Sequence, residues 1–236
     1  MQSLGSRETT EKKPATARRK SDSIDAEHAA RTVLSGSGIA TPKLADGQVE
    51  AIRLLKITRD TAVKAHSTTI ITLKSVLVTA PDELRGELEK LTEHRLIAAC
   101  AKLRAQGNRA DPAVAIRHAL RYLARRWLAL HDEIKVHSTH LKALTSDAAP
   151  QMLERFGVGF DTAAELLIAA GDNANRIRHE AAFAKLCGVC PIPASSGKTS
   201  GRHRLNRGGN RQANAALYRV VIVRLRWHAP TIAYMT

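Results

Sequence analysis

The sequence predicts a mostly α-helical protein built around long helices. Three observations predict it. Ile116, Leu120, Leu123, Trp127, Leu130, Ile134, His137, Leu141 and Leu144 alternate steps of four and three, a helical seam sustained over about four heptads. No segment shows the apolar–polar alternation of a half-buried strand. Proline and glycine clusters fall between the apolar-periodic stretches, where they punctuate helices.

The elements follow in order. Residues 1–20 are polar and basic without periodicity and read as a flexible arm. A short helix is expected from Ser21, a capping residue, to Leu34, ended by Ser35–Gly38. A long helix is expected over Gln48–Thr79, with Val63, Ile70, Leu73 and Leu77 on one face and Pro81 as its stop. Asp82–Arg104 reads as one further helix, closed by the turn Gln106-Gly107-Asn108. The seam helix comes next. With its long predecessor it makes an antiparallel coiled-coil hairpin or a dimerising stalk, or else a plain helical bundle. Beyond Pro150 come two or three short helices, a loop over 189–210 and a last helix over Gln212–Trp227. Trp127 and Trp227 both sit in helical patterns and are expected in the core.

The 236 residues carry a net charge of +15, and 44% are hydrophobic, so the chain can bury a real core. A dispersed cationic surplus attracts polyanions, nucleic acid being the commonest; a membrane surface and a ribosomal role are the alternatives. Aromatics at 3% argue against a base-stacking single-strand binder. No apolar run reaches the length of a membrane span, and the N-terminus lacks the apolar core of a secretory signal. Three cysteines make no disulfide framework, which points to a reducing cytoplasm.

Four motifs could carry chemistry. Asp22 and Asp25, three apart at a helix start, can turn both carboxylates to one side as hard oxygen ligands for Mg2+. They can equally be acids favoured by the helix dipole. Phe156-Gly157-Val158-Gly159 has the form of a helix-hairpin-helix turn, in which Gly157 and Gly159 leave backbone N–H groups free for a phosphate. A tight turn without ligand has the same form. Residues 193–211 set Ser195 and Ser196 in a glycine-rich loop with Lys198, Arg202, Arg204, Arg207 and Arg211. Serine attack on phosphorus needs such cations to neutralise the developing charge, whereas a basic linker needs none. Cys187-Gly188-Val189-Cys190 lacks the second pair of a zinc site and reads as buried or incidental cysteines.

The segments FGVGFDTAAELLIAAGD and FAKLCGVCPIPASSGKTSGRHRLNRGGNRQANAALYRV, with RRKSDSIDAEHAAR near the N-terminus, resemble the insertion-sequence transposases of the IS one-ten family. These are DEDD-type, bridge-RNA-guided recombinases with a C-terminal serine domain. The resemblance implies an RNase H-like domain with four acidic Mg2+ ligands, of which Asp22 and Asp25 match the third and fourth. It implies a nucleophilic serine, matched by Ser196 with Ser195 adjacent. It implies DNA and a guide RNA as partners, and a homo-oligomer pairing one subunit's acids with another's serine. The strands bearing the first two acids have no counterpart here, so a truncated chain of weak or no activity alone is expected. The domains implied are a basic arm (1–20), a remnant of the RNase H-like domain (21–44), a coiled-coil or helical region (45–148) and a serine domain (149–236). The alternative is a non-catalytic nucleic-acid-binding or dominant-negative fragment.

Overall fold

A computed structural model of the chain describes residues 22–36, 42–108, 110–195, 201–206 and 208–235. The arm at 1–20, and Ser196, Lys198 and Arg207, lie outside the described residues. The chain divides into two units, 1–41 and 42–236. In the first, α1 (Asp22–Leu34) is exposed from Ala26 onward, with Arg31 meeting Glu27 one turn away at 2.6 Å. Asp22 and Asp25 stand in its first turn and a half, at the spacing read from the sequence.

The second unit begins with α2 (Gln48–Val78), α3 (Asp82–Leu88), α4 (Glu93–Lys102) and α5 (Pro112–Ala148). Helices α2 and α5 run antiparallel. Gln48 reaches the Leu144 carbonyl, Arg59 reaches Ser138, and the His66 ring meets that of Trp127 at 4.2 Å, so contacts advance along one helix as they recede along the other. At 1.5 Å per residue, α2 spans about 46 Å and α5 about 55 Å. Asp111 caps α5 by accepting from Ala113 N–H at 2.9 Å, and Pro112 takes the first-turn position that needs no donor. The predicted seam is the buried edge of α5: Leu120, Trp127 and Leu141 are closed off, and the intervening positions are half-buried. It is covered within its own chain by α2.

One predicted helix is two. The Asp82–Arg104 segment breaks at 89–92, where Thr92 turns extended before α4. At 100° per residue, an unbroken helix would place Leu84, Leu88 and Leu91 on one side and Leu96, Ile97 and Cys100 on the other. The break lets both sets enter one core with Leu73, Leu77, Leu120, Ala124 and Trp127.

The chain continues through α6 (Pro150–Leu153), α7 (Phe160–Ala170), a 3₁₀ turn at Ala174–Arg176, α8 (Glu180–Leu186), β1 (Ile192–Pro193), β2 (His203–Arg204), α9 (Arg211–Trp227) and α10 (Ala229–Met235). Helix α7 joins this region to the helices α2–α5, together called the stalk, packing Ala164 against Ile52 and Leu141. A separate core unites Leu166, Ala169, Cys187, Ala213 and Ala216. Three further expectations are corrected. The 189–210 loop contains a two-residue antiparallel ribbon, Ile192 facing Arg204 and Pro193 facing His203. Trp227 is 75% exposed, because α9 runs past the small core that covers its middle. Val63 is also exposed, and Ala62 takes the buried place beside it.

Candidate nucleic-acid interface

The ribbon positions the serine segment. Ala194 N–H donates to the Arg202 carbonyl at 2.8 Å, closing the ribbon just before Ser195. Ser195 is exposed where the chain leaves β1, and Ser196 follows it in sequence. Arg202 and Arg204 return along the other strand, both exposed. Paired backbone therefore holds the described residues on either side of 196–200.

The base of the ribbon is fastened by glycine. Gly188 and Gly209 both have positive φ, +69° and +98°. A Cβ on Gly188 would lie 2.5 Å from the Gly208 carbonyl oxygen, and one on Gly209 would lie 2.7 Å from Gly188 N and from the Leu186 carbonyl oxygen. Only residues without a side chain allow two backbones this close. Asn210 N–H completes the fastening by donating to Leu186 O at 2.7 Å. Three asparagines serve the same junction. Asn206 accepts from Gly208 N–H, Asn210 caps α9 by accepting from Gln212 and Ala213 N–H, and Asn214 donates to the Cys187 carbonyl.

Two cavities flank this clasp. One of about 180 Å³ is lined by Asn206, Gly208, Gly209, Asn210, Arg211 and Asn214, at the start of α9. The other, about 630 Å³, is lined by Ile192, Arg204, Leu205, Asn206 and Gly208. Amide donors, an arginine and the positive end of a helix suit an anion there. Burial pushes the Cys187 thiol up, and Cys190 is half-buried, so the CxxC belongs to the packing beneath the clasp. Among the described residues no group of three or more His, Cys, Asp or Glu could hold a metal ion.

The turn at 156–159 lies against α9. The Phe156 carbonyl accepts from Arg224 Nε at 2.8 Å. Gly157, at φ +81°, faces the α9 backbone, its missing Cβ 3.3 Å from the Val220 oxygen, while at Gly159, which opens α7, an added Cβ would meet nothing within 4 Å. The helix before the turn is a single turn, α6.

Sequence reasoning missed an ion network beside this turn. Lys56, buried on α2, meets Asp60 at 2.8 Å, Asp161 at 2.9 Å and Glu165 at 3.1 Å. Arg59 also meets Asp161, at 3.0 Å, and Arg219 on α9 approaches it at 3.8 Å. Burial acts to lower the Lys56 pKa, but the hydrogen bonds to Asp60 and Asp161 and the charges of Asp161 and Glu165 outweigh it and hold it above the ordinary lysine value. The signal was present in the sequence: Lys56 stands one turn from Ile52 on the apolar face of α2, and Asp161 and Glu165 stand one turn apart on α7.

Residues 151–236, which carry the turn, the clasp and the ribbon, match the family described as Transposase IS116/IS110/IS902 family. No curated protein matches the chain. The match, over about a third of the chain, supports a general part for this region in transposition or recombination. Among the described residues no helix is long and apolar enough to cross a membrane.

Proposed function

We propose that this chain, whose residues 151–236 match a transposase family, recombines DNA by serine attack on a phosphodiester in the segment that follows β1. The observation that carries the reading is the exposed Ser195 at the end of a glycine-fastened cationic ribbon, with Ser196 beside it in sequence. Ser196 directly precedes the loop glycine and is the nucleophile in this reading; Ser195 is its neighbour and substitute.

The attack joins the serine oxygen to phosphorus and breaks one phosphorus–sugar oxygen bond. The serine proton is given up and the departing sugar oxygen takes one, so no net proton or high-energy cofactor is consumed. Attack by a new strand's hydroxyl on the phosphoserine reverses the step and completes the exchange. Arg202, Arg204 and Arg211 neutralise charge on the phosphate, and Gly159 and the clasp amides hold the backbone register. Asp22 and Asp25 are proposed as Mg2+ ligands. Two carboxylates fall short of a two-metal site, so no step is routed through a metal here. The resemblance supplies the missing pair from another part of a family chain, and a guide RNA and subunit pairing belong to the same reading.

The test is strand exchange on paired donor and target duplexes, run with this chain alone and with a family chain bearing the two further acids. Detergent-resistant protein–DNA adducts are expected, and Ser196→Ala should abolish them. Adducts undiminished in both Ser196→Ala and Ser195→Ala would overturn the assignment.

A further inference from the structure

The stalk carries a second cationic surface, far from the ribbon. Between Pro112 and His131 the sequence has four arginines and no acid. Arg117, Arg121 and Arg125 recur every fourth residue on α5, so they form one row with a rise of about 6 Å per step. His118 borders the row, Arg126 stands about 100° round the helix from Arg125, and the ring of Tyr122, 54% exposed, is tilted against that of His118 at 4.5 Å.

These arginines differ from the paired cations of the stalk, though Lys64, Lys135 and Lys142 likewise meet no carboxylate among the described residues. Arg53 pairs with Glu50, Lys74 with Glu93, Arg85 with Asp82, and Lys56 and Arg59 with the acids around α7. None of Arg117, Arg121, Arg125 and Arg126 meets a carboxylate among the described residues. Arg121 is half-buried, and its Nε is shut off from solvent without a hydrogen-bond partner. Like charges one turn apart on a helix repel. A row of repelling guanidinium groups with unspent donors is offset once a polyanion lies along it. Guanidinium forks match phosphate oxygens two at a time, and successive phosphates of a strand present charge at a comparable interval.

We propose that the flank of α5 that carries Arg117, Arg121 and Arg125 is a docking surface for the backbone of duplex DNA. DNA is chosen over other polyanions because the C-terminal region matches a transposase family; the inference rests on that reading for its partner, and on the unpaired row for its place. Leu141 packs against α7, and Arg121 lies twenty residues earlier on the same helix, so the row is about 30 Å along α5 from the region that carries the ribbon. A duplex held here is gripped without readout of its sequence, which fixes its path relative to the stalk.

The experiment measures binding of the full chain to a labelled duplex of about 30 base pairs by fluorescence anisotropy across a salt series. Each phosphate contact contributes about 0.9 to the slope of log affinity against log salt, so Arg117→Gln/Arg121→Gln/Arg125→Gln should lower that slope by about 3. Because Arg121 is partly buried, Arg117→Gln/Arg125→Gln serves beside it and should lower the slope by about 2. A charge-matched control, Lys64→Gln/Lys135→Gln/Lys142→Gln, should change it by less than about 1. Unchanged slopes in both arginine variants, or an equal drop in the control, overturn the proposal. So does a selective loss of binding to a hairpin RNA or to anionic vesicles with duplex binding intact. Ser196→Ala should leave the slope alone, so loss of adducts and loss of this surface are read separately; a parent chain that ignores duplex DNA defeats both readings.

Discussion

The stalk and the C-terminal region bury themselves in opposite ways. The stalk core is made of large side chains, with Leu73, Leu77, Leu120 and Trp127 filling the space where α2, α4 and α5 meet. The C-terminal core has mostly small residues at its centre, Ala169, Cys187, Ala213 and Ala216 around Leu166, with glycines that let backbone touch backbone. Burial of large apolar area gives the first its stability. The second gains little from area and is fixed instead by hydrogen bonds, caps and close approach. One region is built to hold, the other to place a loop.

The largest expected effect breaks the stalk. Trp127→Ala removes a buried indole and should cost about 3–5 kcal/mol, seen as a lowered unfolding midpoint in urea. Gly209→Ala attacks the other principle. It puts a side chain at positive φ and against two backbone groups, for a cost of about 1–3 kcal/mol. Its mark should be protease cleavage near the ribbon at little change in the stalk's own melting; a clasp as resistant as wild type would break the comparison.

Lys56→Met tests the seam between the two regions. It leaves Asp161 and Glu165 facing each other without their shared cation, and about 1–2 kcal/mol is expected, below the cost for a fully buried pair because Asp60 and Asp161 keep contact with water. The raised Lys56 pKa gives the sign of a pH effect. The folded state holds this proton more tightly than the unfolded one, so the stabilisation is complete at neutral pH and is lost as pH climbs past the ordinary lysine value. The Met variant should show a flatter alkaline limb in its denaturation profile.

The smallest effect concerns the aromatic cluster in the stalk. Burial, with a contribution from His131, lowers the pKa of His66, against an opposing pull from Glu93. The unfolded chain therefore takes up this proton first on acidification, and stability falls as pH drops below the ordinary histidine value. Trp127, stacked on His131 and 4.2 Å from His66, should report the change in its fluorescence. His66→Gln should weaken that acid-side response, and an unaltered response would overturn the assignment to His66.

The two regions also differed in how far the sequence disclosed them. The heptad spacing from Ile116 to Leu144 named the buried edge of α5 residue by residue, because a long helix converts spacing directly into direction. The break between α3 and α4 was legible too, in the apolar residues that change sides after Leu91, but no proline or glycine marks it. The clasp was not. Gly188 and Gly209 are far apart in sequence, and what unites them is contact between main chains, which leaves no side-chain pattern. Lys56 was hidden for a related reason: a buried lysine makes sense only once the acids of a distant helix are brought to it.

The antiparallel pairing of α2 and α5 limits how the stalk can change length. One residue added to either helix alone rotates everything beyond it by 100° and turns Leu120 or Trp127 out to water. Matched additions of seven to both arms keep the register and lengthen the hairpin by about 10 Å. The separation between its two ends can therefore vary only in steps, each a paired insertion, and a lineage that altered its reach would show it as blocks of seven residues on both arms.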